Sequence, residues 1–441
     1  MTEPALLSYG QLSVWRDVRG LDAARRHEAN TRSIWALGEQ PGTEPGAPPS
    51  AAAVSVSVAE VEQALRALGR RHESLRTVYD LSDPYAPTQR VLPSCEVETG
   101  VFECALDAFA EFDAFVAQLA ARPFDLATEP SWRARIVTQA ARPYAVIVIK
   151  HHITADGWSD DALRREFQAL LAAGTAPVSP PDPPTPRELA AWQQAGAGSA
   201  RSGAVRAHWE QIFGLFVAAL PPGRDAGEAD AAFQCGARSR AAHAAATRLA
   251  QRLSVPLSSV VLAAYVRSAA RRAGAGTPVA QLMSSNRFVA PWSSVISSMN
   301  QWTATAFEAP VEDFEAFVRH VHSRSLSAYR HGMYDVDEID ALRDKLRAGR
   351  EPYQATCAFN FLTTAAPGPT AGLDGAPEAE PDLEWEAPFS RIGHPCYLRA
   401  TEMGGHTLDL RLRTLGLPKP LTGDILADVF AQLTDPAPGT D

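Results

Sequence analysis

Cysteine is scarce in this chain: its 441 residues hold five, an odd number, at Cys95, Cys104, Cys235, Cys357 and Cys396. No two stand in Cys-x-x-Cys spacing, so neither a disulfide framework nor a zinc site is expected. That usage fits a reducing, cytoplasmic setting. Long apolar runs are missing too. Nothing approaches the roughly 20 residues that a membrane-spanning helix needs. Met1 to Gly10 lacks the basic start and apolar run of a secretory leader, so no membrane partner is expected. Nor is there an excess of positive charge: the net charge is −10, which argues against nucleic acid as a partner. An acidic protein partner stays open, because docking depends on local patches. What the chain has is a 46% apolar fraction and length enough for two domains with real cores.

Proline punctuates the chain once heavily, at Pro180, Pro181, Pro183, Pro184 and Pro186 within Gly174 to Pro186. Successive prolines disfavour both helix and central strand, so residues 176–205 read as a linker between 1–175 and 206–441. Two further biased segments, Thr363 to Asp382 and Gly38 to Ser50, read as surface loops within strand-rich sequence. Elsewhere helix and strand signals alternate. Ser57 and Glu60 have capping-box spacing before an apolar stripe, which predicts a helix over about Val58 to His72. Ala145 to Lys150 is short and β-branched and predicts a buried strand. Ser159 is placed to cap a helix burying Leu163, Phe167, Leu170 and Leu171. Leu257 to Ala273 reads as helix, Ala355 to Leu362 and Thr407 to Arg413 as strands, and Thr422 to Leu433 as a last helix. The class is mixed α/β.

The stretch richest in chemistry is His151-His152-Ile153-Thr154-Ala155-Asp156-Gly157-Trp158-Ser159, between that strand and that helix. Neighbouring side chains at a strand end point to opposite faces, so one histidine can face a cleft while the other is structural. A histidine suits base chemistry, because its ordinary pKa of about 6.5 leaves it mostly neutral at physiological pH. Asp156 can fold back as a charge partner, and Gly157 allows backbone conformations that other residues resist. The pair alone better suits two buried histidines satisfied by backbone carbonyls. No third ligand lies nearby, so no metal is expected.

The whole string resembles the His-His-x-x-x-Asp-Gly-Trp-Ser signature of the condensation domains of nonribosomal peptide synthetases, whose superfamily includes chloramphenicol acetyltransferase. Other motifs follow in order. Ser8 to Trp15 resembles Ser-x-Ala-Gln-x-Arg-Leu-Trp, with Gly10 for alanine and Ser13 for arginine. Arg71 to Tyr79 is similar to Arg-His-Glu-x-Leu-Arg-Thr-x-Phe. Phe124-Asp125-Leu126, with Arg133 and Arg135, resembles the approach to the catalytic strand. Trp192-Gln193 and His208-Trp209 resemble the segment after the linker. Val295 to Trp302 stands where Ile-Gly-x-Phe-Val-Asn-Thr is usual and keeps Asn300. Ser327 to His331 resembles a helix with a His-Gln-Asp tail, here with Gly332 and Met333. Arg350 to Pro352, then Phe359 to Phe361, resembles the last motif.

The resemblance implies two chloramphenicol-acetyltransferase-like subdomains in a V, with a tunnel at their junction. It implies that His152 is catalytic and that His151, Asp156 and Gly157 support it. It implies that Asp156 pairs with an arginine of the other subdomain, for which Arg287 is best placed, in a bidentate contact. Trp158, Ser159, Asn300 and Trp302 are expected along the substrate channel. No carrier domain is recognisable, so the expectation is a free-standing condensation enzyme. It would join a carrier-bound acyl or aminoacyl thioester to a small-molecule amine or alcohol. The donor would arrive on the phosphopantetheine arm of an acyl or peptidyl carrier protein, and no cofactor would be bound permanently. Two enzymatic alternatives are an acyltransferase using CoA and an epimerase. From another class, the alternative is a non-catalytic platform that recruits a partner to a synthetase.

Overall fold

A computed structural model describes residues 2–37, 56–94, 96–173, 182–196, 200–215, 231–274, 276–308, 313–347, 355–364, 382–388 and 393–434. The chain divides into two compact units, residues 1–199 with 285–301, and residues 200–284 with 302–441.

The first unit runs β1 (Ala5–Leu6), α1 (Tyr9–Val18), β2 (Asn30–Ala36), α2 (Val58–Arg71), β3 (Thr77–Asp80), β4 (Thr88–Val91), β5 (Val101–Glu103), α3 (Phe109–Ala121), β6 (Trp132–Gln139), β7 (Arg142–His151), α4 (Gly157–Ala173) and α5 (Pro186–Ala195). Its larger sheet has the order β2-β7-β6-β5, and its smaller one β1-β4-β3. The two faces of β7 go to different cores. Val146 and Val148 pack with α2 and α4 through Leu65, Leu68, Leu163 and Phe167, while Ile147 and Ile149 pack with α3 through Val116 and Leu119. That two-sided burial is why the strand reads as a continuous β-branched run rather than an alternating one. Ser57 and Glu60 form the expected capping box on α2. A second box, Ser8 with Gln11, starts α1, which gives two of the opening motif's residues a structural purpose.

Other motif residues tie this unit together. Glu166 on α4 receives both His72 Nε2 at 2.9 Å and Arg71 Nε at 3.0 Å. Arg187 on α5 reaches Glu73 at 2.7 Å. Arg133 is fully buried, with its guanidinium carbon 3.7 Å from the centre of the Phe124 ring, and Gln193 accepts the Tyr9 amide at 2.9 Å.

The second unit continues with α6 (Ala200–Phe213), β8 (Ala232–Ser239), α7 (Arg240–Leu253), α8 (Leu257–Ala273), β9 (Val279–Ser284), β10 (Gln301–Ala306), α9 (Phe314–Tyr329), α10 (Val336–Arg347), β11 (Cys357–Thr364), β12 (Glu384–Glu386), β13 (Cys396–Met403), β14 (Thr407–Leu415) and α11 (Lys419–Thr434). Its sheet has the order β10-β9-β11-β13-β14-β8-β12. Pairing is parallel across β9, β11 and β13 and antiparallel from β13 to β12. Helix α8 is buried on nearly every side, with Val260, Val261, Ala264 and Tyr265 all inaccessible.

Three expectations need correction. Among the described residues of 176–205, only 182–185 and Gly196 are irregular, and the rest is helix, α5 and the start of α6. Pro186 sits in the first turn of α5, where a missing N–H costs nothing, and Thr185 and Glu188 cap it. The break between units falls at 199/200, and 285–301 does not stay with the residues around it in the second unit but returns to the first, where Ile296 joins the core of α2 and α4. Helix α4 begins at Gly157, two residues before Ser159, so Asp156 caps it by accepting the Ser159 amide at 2.8 Å. The segments 38–55, 174–181 and 365–381, and the Arg350 to Pro352 motif, lie outside the described residues.

Candidate active site

Strand β7 ends at His151, and the backbone there is held from both sides. The His151 amide donates to Ser131 O beside β6 at 2.9 Å, and the His152 amide donates to Ala29 O beside β2 at 2.8 Å. The two imidazoles therefore diverge. His151 is buried, and its Nδ1 accepts the Ile153 amide at 3.1 Å. Burial, and then the neighbouring His152, push its pKa down to about 3. His152 is half-buried, with Nδ1 3.4 Å from Ser298 Oγ. Burial also holds its pKa below the ordinary histidine value. Asp156's charge and a hydrogen bond to its own backbone oppose that shift, and Lys150 adds to it. Both rings are thus neutral near pH 7.

Asp156 and Arg287 are brought together and are both buried. The contact is not the two-nitrogen fork expected. Arg287 Nη2 alone meets both carboxylate oxygens, at 2.9 and 3.1 Å, and also Ser159 Oγ at 2.8 Å and Ser297 O at 3.1 Å. Its Nη1 is taken by Val295 O at 2.7 Å and Ser293 O at 3.3 Å. The carboxylate also accepts the Met299 amide at 3.0 Å. Asp156 thus satisfies a helix start, an arginine and the Met299 amide at once, which is how a buried charge is made tolerable. Arg287 lies in the first unit, not the second as expected from its place in the sequence.

Ser159 does not line a channel through its hydroxyl. Its Oγ donates to Ser297 O at 2.8 Å and accepts the Ser297 amide at 3.1 Å, so it fastens α4 to residues 297–298. Trp158 is 39% exposed, with the Arg287 guanidinium carbon 4.2 Å from the centre of its ring. Gly157 has no left-handed backbone, and a Cβ there would meet nothing within 4 Å. The conformational reason expected for glycine is therefore absent, and Gly157 leaves open space at the first turn of α4. Asn300 Oδ1 accepts the Ser298 hydroxyl at 3.0 Å. Trp302 belongs to the second unit, half-buried and edge-to-face with His394 and Tyr397 at centroid distances of 4.8 and 5.5 Å.

Sequence reasoning missed Ser298 and Gly10, which meet each other. A Cβ on Gly10 would stand 2.3 Å from Ser298 O and 2.7 Å from Met299 Cα, so only glycine lets α1 lie this close to the segment beside His152. The available signal was that both residues depart from their motifs, Gly10 from alanine and Ser298 from phenylalanine. Among the described residues, no group of three or more His, Cys, Asp or Glu side chains could hold a metal ion. Among them, too, no single helix is long and apolar enough to cross a membrane.

The Condensation domain family model matches residues 51–364, which include the histidine loop and the Arg287 segment. The chain belongs to the condensation-domain family. Phosphinothricin tripeptide synthetase PhsB of Streptomyces viridochromogenes is 34% identical over 136 residues, 30% of this chain and 11% of that protein. This condensation domain thus spans a small part of such relatives, as little as 1% of nonribosomal peptide synthetase kk1B of Curvularia clavata. A structure described as the molecular basis for condensation domain-mediated chain release from the enacyloxin polyketide synthase superposes with a TM-score of 0.77. It is 19% identical and covers 100% of this chain and 84% of that one. The X-domain in complex with OxyB from teicoplanin biosynthesis has a TM-score of 0.71 at 17% identity, covering 99% and 94%. These likenesses establish the mixed α/β fold of the superfamily.

Proposed function

We propose that this condensation domain transfers an acyl group from a thioester to an amine or alcohol, with His152 accepting the proton of the attacking group. The observation that carries the reading is the half-buried, neutral His152 imidazole beside a buried His151 that is turned the other way. A neutral imidazole accepts hydrogen bonds and protons, whereas one protonated at pH 7 could not. The donor is an acyl-S-pantetheine, carried on the phosphopantetheine arm of an acyl or peptidyl carrier protein. The nitrogen or oxygen of a small-molecule acceptor forms the new bond to the carbonyl carbon as its proton passes to His152. The carbon–sulfur bond breaks, and the thiolate leaves and takes the proton back. No covalent enzyme intermediate is required, so much of the acceleration comes from positioning. Asp156 and Arg287 hold the loop and take no proton.

Coenzyme A ends in the same pantetheine thiol, so a CoA donor would use the same steps. Comparing acyl carrier with acyl-CoA under single-turnover conditions separates the two. A second reading is a platform that recruits a partner without turnover. Its support is the likeness to an X-domain in complex with another protein, and the intact histidine loop weighs against it. Carrier binding assayed with and without acyl transfer tests both: binding with no transfer to any amine or alcohol would favour the platform.

A further inference from the structure

We propose that Trp158 is a positioning residue: its indole closes the Asp156–Arg287 ion pair to water and so steadies the loop that carries His152. The effect on transfer rests on the reading of His152 as the base; the closure does not. Three residues of one short stretch touch the same guanidinium. Arg287 Nη2 lies 2.9 Å from Asp156 Oδ1 and 2.8 Å from Ser159 Oγ, and the guanidinium carbon lies 4.2 Å from the centre of the Trp158 ring. A guanidinium is planar and its N–H groups point outward in that plane. Asp156 and Ser159 therefore take its edge, and Trp158 takes its face.

The donors of Arg287 show why the face matters. A guanidinium has five N–H donors and no acceptor. Nη1 donates to Val295 O at 2.7 Å and Ser293 O at 3.3 Å, and Nη2 also reaches Ser297 O at 3.1 Å. Nε is buried and meets no hydrogen-bond acceptor among the described residues. A buried N–H left in that state is unfavourable. The negative face of an aromatic ring compensates both the charge and the N–H, and tryptophan offers the strongest such face.

The indole also stands between the pair and solvent. The side chains of Arg287 and Asp156 are 4% and 3% exposed, while Trp158 is 39% exposed. An ion pair open to water contributes little, whereas breaking a buried one is strongly destabilising. The ring decides which kind this is. Local structure puts it there: α4 starts at Gly157 and Asp156 caps it through the Ser159 amide at 2.8 Å. Trp158 thus lies in the first turn, between two residues that are themselves fixed to Arg287. His152 stands four residues before Asp156 on the loop so held.

The test uses the full chain labelled with 15N-arginine, in which Arg287→Lys identifies the Arg287 Nε–H signal by its loss. In the wild type that proton should be shifted upfield by the indole ring current and should exchange slowly with deuterium, as a hydrogen shut from solvent does. Trp158→Phe keeps a π face and should keep both properties. Trp158→Leu keeps apolar bulk without one. It should lose the shift, exchange about tenfold faster and transfer from an acyl carrier about tenfold more slowly, the size of a cation–π contact away from water. Donor affinity and the ratio of rates among acceptors should not change. A wild-type Nε–H that lacks the upfield shift, or exchanges as fast as those of exposed arginines, overturns the proposal even if Trp158→Leu fails to fold. So does a Trp158→Leu protein with an unchanged Arg287 signal, and an altered acceptor ratio alongside that signal makes Trp158 a substrate contact instead. Slow transfer by His152→Ala, with full-rate transfer by a Trp158→Leu protein that has lost the shift, overturns the positioning role. Full-rate transfer by both sinks the reading of His152 and leaves the closure to be judged by exchange alone.

Discussion

Arg287 meets Asp156 through one nitrogen, with Nη2 2.9 Å from Oδ1 and 3.1 Å from Oδ2. The other oxygen contacts are spent on the Ser159 and Met299 amides, so the carboxylate couples the start of α4 to residues 297–299. Removing it leaves a buried guanidinium without its counter-charge. Asp156→Ala should cost about 3–5 kcal/mol of stability. Asp156→Asn keeps the helix cap and isolates the charge, so it should still lose most of that amount. Adding Arg287→Met should recover part of it. Urea unfolding measures all three, and an Asp156→Ala protein as stable as wild type would contradict the account.

Gly10 makes a separate prediction. Gly10→Ala drives a methyl group to 2.3 Å from Ser298 O, where backbone rather than a flexible side chain must move. Overpacking of this kind typically costs about 1–3 kcal/mol. The motif that this chain resembles has alanine at the position, so tolerance would be the naive expectation. A Gly10→Ala protein that melts with the wild type would show that α1 can shift freely.

Acid should destabilise the fold before its carboxylates titrate. Burial lowers His151 to about 3 and His208 and His394 to about 4. Their pKa in the unfolded chain is about 6.5, so below that pH the unfolded state binds more protons. The stability these neutral rings contribute is whole above pH 6.5 and declines as pH falls toward 4 and 3. His151 alone gives a slope of about 1.4 kcal/mol per pH unit in that window. Urea midpoints at pH 7 and pH 5 should differ in favour of pH 7, and His151→Gln should reduce the difference. A midpoint that is flat or rises on acidification would contradict the direction of these shifts.

Trp302 makes edge-to-face contacts with His394 and Tyr397 and remains half-buried. If it borders the path of a substrate, Trp302→Leu should change the ratio of rates among acceptors of different size. A uniform loss with lowered stability and an unchanged ratio would make it an ordinary packed aromatic.

Much of this was readable where the determinants are local. The run AVIVIK, the Ser57–Glu60 box and the alternation of side chains at a strand end depend on a few neighbouring residues, and the corresponding elements are present. Asp156 as a helix cap was also a local matter, but Ser159, two residues into the helix, offers the same chemistry and drew the assignment. The contacts that complete the site are not local. Ser298 lies 146 residues from His152, and Ser159 lies 138 from Ser297. Nothing in the composition of 285–301 says that it packs with the first unit. Pro186 depends on context in a related way: proline breaks a helix in its interior and begins one here.

The central claim is that His152 takes part in acyl transfer while His151 serves the fold. The most direct measurement is single-turnover transfer from an acyl carrier to a series of amines and alcohols, comparing wild type with His152→Ala. General-base assistance is worth about 10²–10⁴-fold, and the loss should be largest for alcohols, whose proton must leave as the bond forms. Free amines should retain more rate, and carrier binding and melting temperature should match the wild type. His152→Ala rates equal to wild type with every acceptor would contradict a catalytic His152 and leave the platform as the better reading.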